Sequence, residues 1–275
     1  MGGLGNQLFQ FGAGLSLAGR LGVPLSLLSR EGLGWPSRLH TWNIPSRSSL
    51  QVWDSLPGFR VRVGLERTAT SILRRHPKHF FEKNIGYDPD FENIHTGVHL
   101  HGYFQSYRYL EPVEHEIKCR LLSSTITQSA RTRWRELGLP EKYIGVHVRG
   151  GDYLKLRSVY AEASQDYYKN AIGEILDQKP TVEIICFTDD RSYAEGLVPE
   201  ASFFVDPKVI SEDSTNLLAL SFAEGIVGAN STFSWFAAWL SDCDRDSKVF
   251  PAKWFNDPQL QAHLDLLPPW FSRTK

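Results

Sequence analysis

Apolar residues recur at helical spacing through Leu8, Phe11, Leu15 and Ala18, directly after the glycine-rich opening Met1-Gly2-Gly3-Leu4-Gly5-Asn6-Gln7. This pattern predicts a glycine loop that leads into a helix. A short apolar run at 24–28 predicts a buried strand. Between 30 and 97 the periodicity fades into Pro, Ser, Arg and the tryptophans Trp35, Trp42 and Trp53, an irregular stretch. Alternation at 98–104 predicts a strand, followed by helices at 108–118 and 125–137, the second closed by Gly138 and Pro140. From 143 onward the rhythm is regular. Strands at 143–148, 182–187, 202–205, 226–228 and 248–250 are interleaved with helices at 166–176, 216–224 and 233–240. Strands alternating with helices mean a parallel sheet covered on both faces. The expected fold class is α/β: a doubly wound domain at 140–275, preceded by a less regular α/β domain at 1–139.

Charge and composition narrow the function. With 30 Lys+Arg against 31 Asp+Glu in 275 residues, the net charge is −1, which argues against a general nucleic-acid binder. A 41% hydrophobic content supports a real core and excludes a disordered chain. Cys119, Cys186 and Cys243 form no C-x-x-C pair, so neither a disulfide framework nor a structural zinc site is expected, and a reducing compartment fits. The longest apolar stretch, 15–28, is interrupted by Arg20 and Pro24, so no membrane span is expected. No basic and apolar leader with a small-residue cleavage site is visible either, and the expected location is the cytoplasm.

Candidate chemistry gathers at three predicted strand ends. In Val146-His147-Val148-Arg149-Gly150-Gly151-Asp152-Tyr153, two glycines let a ligand approach the backbone, and the planar fork of Arg149 suits a diphosphate. His147 and Asp152 suit a base or a sugar. The ordinary alternative is a surface turn in which Arg149 pairs with Asp152. At Cys186-Phe187-Thr188-Asp189-Asp190-Arg191, two carboxylates suit guanine N1 and N2 or a metal, with helix N-capping as the ordinary alternative. At Ala229-Asn230-Ser231-Thr232-Phe233, small polar side chains and amides meet the positive end of a helix, an anion site or again a plain N-cap. All three lie at carboxyl ends of one expected sheet, where open α/β folds bind ligands, and together they point to a nucleotide. The opening glycines lack the third glycine and the preceding strand of a dinucleotide fingerprint. His95, His99 and His101 have no acidic or cysteine partner at ligand spacing and read as ordinary histidines.

At these residues the sequence resembles the α-1,2-fucosyltransferases of glycosyltransferase family 11, inverting enzymes that use GDP-fucose. The opening loop through Gln10, the segment Gly102-Tyr103-Phe104-Gln105-Ser106, the His147–Tyr153 signature, Phe187–Asp190 and the stretch from Asn230 to Trp239 match family motifs in order. The resemblance implies a GT-B fold, two Rossmann-like domains facing across a cleft. The acceptor side would be 1–139 and the GDP-fucose side 140–275. It implies no cofactor and no metal. Arg149 would bind the diphosphate; Asn230, Ser231, Thr232 and the amide of Phe233 the phosphate region; His147 with Asp189 or Asp190 the guanosine. Gly5, Asn6 and Gln7 would border the reacting sugar. Catalysis would fall to Arg149, to Asp152 as first candidate base, and to Asn6.

The implied reaction moves fucose, with inversion, to the 2-hydroxyl of a terminal β-galactoside of a glycan. The implied partners are GDP-fucose and the glycan acceptor, without nucleic acid and with no more than peripheral contact with lipid-linked glycans. The alternatives are a fucosyltransferase of α-1,6 or O-fucosyl type, or a non-catalytic GDP-sugar or glycan-binding module. Two departures stand out. Gly150 replaces the family's second signature arginine, and the sequence starts inside the glycine loop that usually follows a short strand.

Overall fold

A computed structural model describes residues 2–29, 37–42, 44, 46–48, 79–83, 85–95, 98–123, 125–151, 156–180, 182–262 and 265–274. The chain divides into two compact units, Met1–Ile117 and Lys118–Lys275.

In the first unit, helix α1 spans Leu4–Leu21 and buries Leu4, Leu8, Phe11 and Leu17 on its apolar stripe. It starts at Leu4 with Gly3 as N-cap, so Gly5, Asn6 and Gln7 lie in its first two turns rather than in the expected loop. The reason is burial: Leu4, Gly5, Gln7 and Leu8 are all buried, and this overrides the local preference of glycine for a loop, while further along the helix Gly12 leaves room for Leu110. Two short parallel pairs follow, β1 (Leu27–Ser29) with β2 (Ser46–Ser48) and β3 (His79–Phe81) with β4 (His99–His101). β4 is shorter than the expected 98–104 because the chain turns at Gly102. Two 3-10 turns, Tyr107–Tyr109 and Glu111–Val113, occupy the start of the expected helix 108–118. The α-helix proper is α2, Glu114–Leu122, which starts in this unit and ends past its last residue. Pro112 accounts for the delay, because it carries no N–H for the helical ladder. Ala13, Leu17, Phe91, Ile94, Phe104 and Tyr109 form the core of this unit.

The second unit is built on one six-stranded parallel sheet. Its strands are β5 (Tyr143–Val148), β6 (Glu183–Thr188), β7 (Phe203–Val205), β8 (Gly225–Val227), β9 (Lys248–Pro251) and β10 (Ser272–Thr274), in the spatial order β10-β9-β8-β5-β6-β7. The chain runs outward from β5 through β6 to β7, returns to the other side of β5 as β8, and runs outward again. That is the doubly wound order, with its reversal between β5 and β8. Between the strands come α4 (Gln165–Leu176), α5 (Arg191–Leu197), α6 (Asp213–Ser221) and α7 (Thr232–Leu240). All six residues of β5 are buried, as a central strand covered on both faces requires.

Helix α4 buries Tyr167, Tyr168, Ala171, Ile172 and Ile175 at helical spacing and is N-capped by Ser164, whose Oγ accepts from the Tyr167 N–H. Helix α7 is buried at every position from Ser234 to Leu240, a core helix rather than an amphipathic one. Helix α3, Thr125–Glu136, stands before 140, yet it packs on α6, and its Trp134 stacks on Tyr143 with ring centroids 4.6 Å apart. β10 and the short α8 (Pro258–Ala262) lie beyond the last element the sequence pattern predicts. No helix among the described residues is long and apolar enough to cross a membrane.

Candidate active site

The reversal between β5 and β8 leaves a crevice at the carboxyl ends of the strands, and Arg149 enters it as the first residue after β5. Parallel pairing sets Val148 beside Thr188, so the loop after β6 lies next to the loop after β5. Asp189 therefore meets the 149–151 segment twice. Its Oδ2 stands 2.8 Å from a guanidinium nitrogen of Arg149, and its Oδ1 accepts the Gly150 N–H at 2.8 Å. The Arg149 and Asp189 side chains are 32% and 25% exposed, so the guanidinium is held in place while part of it still faces solvent. Asp189 is the partner of Arg149 here; Asp152, expected as its ordinary partner, lies outside the described residues.

The two glycines have different reasons. Gly151 adopts φ +40, in the left-handed region, and a Cβ there would stand 2.7 Å from the Asp189 Oδ2. Gly150 has no positive φ, but its Cβ would stand 2.7 Å from the Asp190 Cβ and 3.1 Å from the Tyr193 ring. Asp190 serves as an N-cap: its Oδ1 accepts from the Tyr193 N–H at 3.2 Å, and Thr188 Oγ1 accepts from its own N–H. Of the two carboxylates, one thus grips the arginine loop and the other starts α5.

His147 precedes Arg149 by two residues and is buried, with its ring 5.2 Å from that of Phe233 on α7. Burial first, and the neighbouring Arg149 cation second, push its pKa down to about 3. The imidazole is therefore neutral near pH 7, and its Nδ1 is buried with no hydrogen-bond partner. The adjoining strand ends are fixed by two tyrosines of α4. Tyr167 donates to the Gly228 carbonyl at 2.7 Å and Tyr168 to the His147 carbonyl at 3.2 Å. Burial raises the pKa of both phenols far above normal, so they remain donors.

On the β8 side, Asn230 is buried and donates to the carbonyls of Ala161, Lys253 and Trp254 at 2.6, 3.1 and 3.1 Å, which ties two loops to the crevice wall. Its Oδ1 is buried and unbonded. Ser231 N-caps α7: its Oγ accepts from the Phe233 N–H, and its own N–H goes to the Ala229 carbonyl. The Ser231 hydroxyl and the Phe233 amide are thus engaged in capping. Thr232 opens α7. Arg149, Tyr160, Tyr168, Tyr193, Ala229 and Asn230 line a small cavity at this point.

In the first unit, the opening motif and the middle motif meet. Asn6 Oδ1 accepts from Gln105 Nε2 at 2.8 Å, and Gln10 Nε2 donates to the Gly102 carbonyl at 3.0 Å. Gln7 is buried, donates to the Gly2 carbonyl and accepts from the Arg38 N–H. Gly5 is buried beside them in α1. Glu82 completes the cluster, its Oε2 accepting from the N–H groups of Tyr103 and Phe104, both at 2.9 Å. Sequence reasoning missed Glu82, which stands in the stretch without periodicity. No group of three or more His, Cys, Asp or Glu side chains among the described residues is placed to hold a metal ion. His101 has its Nε2 2.9 Å from the Nδ1 of His79.

Comparison with known proteins adds the following. The family model Glycosyl transferase family 11 matches residues 78–272. An α-1,2-colitosyltransferase of Escherichia coli is 24% identical over 95% of this chain and 92% of its own length. The O-antigen biosynthesis glycosyltransferase WbnK of Escherichia coli is 30% identical over 40% of this chain and 38% of its own. A crystal structure of NodZ α-1,6-fucosyltransferase soaked with GDP-fucose aligns over 87% of this chain and 89% of that one, at 15% identity and a TM-score of 0.43. With its matched region spanning strands β5 to β9 and the crevice around Arg149, the chain belongs to glycosyl transferase family 11.

Proposed function

We propose that this glycosyltransferase moves fucose from GDP-fucose, with inversion, to the 2-hydroxyl of a terminal β-galactoside of a glycan. The observation that carries the reading is Arg149, held by Asp189 in the crevice at the strand reversal of a family 11 chain. In such a transfer the acceptor oxygen forms a bond to the anomeric carbon as the bond to the diphosphate oxygen breaks. Negative charge grows on the departing GDP, and a guanidinium already oriented there stabilises the transition state more than the ground state.

His147 belongs to the nucleoside in this proposal. Its neutral ring offers the unbonded Nδ1, and Phe233 supplies an apolar flank. Asn230, Ser231 and Thr232 form the wall beside the phosphates, and Asp152 is the proposed base that takes the acceptor proton. Asn6, Gln7 and Gly5 belong to the sugar side. A GT-B arrangement, independence of metal and cofactor, and a cytoplasmic location are parts of the same proposal.

A second donor follows from the relative that matches most of the chain, whose name specifies colitosyl transfer in α-1,2 linkage. Colitose is fucose without its 3-hydroxyl, so the two donors differ by one hydroxyl. A site that hydrogen-bonds that group would reject the deoxy sugar strongly, whereas a site that does not would take both. The test is NMR analysis of products after separate incubations with GDP-fucose and with the corresponding colitosyl donor, each with a panel of β-galactosides, with and without EDTA. GDP release and a fucosyl group on the galactose 2-oxygen, unaffected by EDTA, are expected. Transfer to another oxygen would replace the linkage, transfer only from a colitosyl donor would replace the sugar, and tight GDP binding without turnover would leave a binding module.

A further inference from the structure

The segment Gly102-Tyr103-Phe104-Gln105-Ser106 is held at several of its backbone groups, and it presents a single aromatic ring to solvent. The Gly102 carbonyl accepts from Gln10, the N–H groups of Tyr103 and Phe104 share one carboxylate oxygen of Glu82, and the Phe104 carbonyl accepts from the Ser106 N–H at 2.9 Å. Glu82 is itself anchored, its N–H bonding to the His101 carbonyl at 2.9 Å. Close approach requires glycine at 102, where a Cβ would stand 2.6 Å from both the Cβ and the Oε2 of Glu82.

The turn is also strained. Phe104 has φ +53 and is the one non-glycine residue with positive φ among those described. Such strain persists only where the surroundings enforce it, and it concentrates at functional sites. Here it is enforced by the Glu82 clamp and by burial of the Phe104 ring, which is 1% exposed and packs edge-on to Tyr109 with centroids 5.4 Å apart. The consequence falls on Tyr103. Its side chain is 44% exposed, and it is the one aromatic among the exposed large apolar side chains of the described residues. Gln105, two residues on, is fixed by Asn6.

We propose that this turn is a saccharide-binding subsite in which the Tyr103 ring is the platform for the C–H face of an acceptor pyranose. A rigid ring with its negative π face open to solvent suits the slightly positive C–H hydrogens of a sugar face, and a turn already ordered before binding loses little entropy when the sugar arrives. For its choice of ligand the inference rests on the reading above that the acceptor is a glycan.

The test is ligand-observed saturation-transfer NMR on the full chain, with methyl β-galactoside and lactose as probes. Saturation is expected on the C–H protons of one ring face. Tyr103→Ala should raise the dissociation constant at least about tenfold, while Tyr103→Phe and Tyr103→Trp should stay within about threefold of the parent, because the ring and not the hydroxyl makes the contact. Thermal melting monitored by circular dichroism checks that each variant is folded. Saturation transfer to neither probe, or the same dissociation constant in Tyr103→Ala as in the parent, would overturn the subsite. Turnover of GDP-fucose by the same preparations bears only on the transferase reading. Tyr103-dependent sugar binding without turnover keeps the subsite and removes that reading; turnover with Tyr103-independent binding does the reverse.

Discussion

His147 makes the stability of the second unit depend on pH in a calculable way. Its imidazole is 5% exposed, with a pKa pushed from 6.5 to about 3, mainly by burial. In the unfolded chain the ring takes up a proton below about pH 6.5; in the folded chain it does not until the pH nears its depressed value. Between those limits the unfolded state binds more protons, so stability is complete above the unfolded pKa and falls as the pH falls. From pH 7.5 to pH 5 the loss amounts to about 2 kcal/mol for this one group, and it barely depends on the folded pKa as long as that lies well below 5. The assay is denaturant unfolding of the wild type and of His147→Phe at both pH values, taking the change of each protein between them. Other titrating groups act in both proteins and cancel in the difference, as does any constant packing cost of the substitution. The wild type should lose about 2 kcal/mol more than the variant. Equal losses would refute the argument, because they would mean that the folded imidazole gains its proton as easily as an exposed one.

Three further outcomes follow from the crevice. Arg149→Ala should lower transfer by at least about two orders of magnitude, and Arg149→Lys should not restore it, since a point charge lacks the planar fork; near-normal kcat in either variant would remove Arg149 from the mechanism. Gly150→Ala should destabilise the protein by about 1–3 kcal/mol, because the new methyl meets the Asp190 Cβ at 2.7 Å; an unchanged melting temperature would show that α5 gives way freely. Asn230→Ala should cost about 1–3 kcal/mol in denaturant unfolding, since three carbonyls lose their shared donor; a loss below about 0.5 kcal/mol would mean that water replaces the amide.

How much of this was legible in the sequence depends on where the information lies. The core strands β5, β6 and β9 stood out because strands buried on both faces read as nearly unbroken apolar runs. β10 did not, because Ser272-Arg273-Thr274 pairs at the sheet edge through its backbone and carries no apolar signal. The start of α1 was misread for the opposite reason. Glycine content signals a loop locally, but burial of Leu4, Gly5, Gln7 and Leu8 in the folded unit overrides that propensity. The candidate site shows the same division. Asp189 and Asp190 were visible as a pair, but their separate tasks depend on the register that sets Val148 beside Thr188, a relation forty residues long.

Gly150 joins sequence and structure most closely. The family resemblance places a second arginine there, which frames its absence as a lost cation. In the folded chain the backbone at 150 donates to Asp189 and lies against Asp190 and Tyr193, with no room for even a methyl group at its present position. Restoring an arginine would therefore first have to displace the start of α5, and with it the carboxylate that orients Arg149. The position acts here through close approach of the main chain, and the guanidinium beside it, that of Arg149, is the cation which Asp189 holds in the crevice.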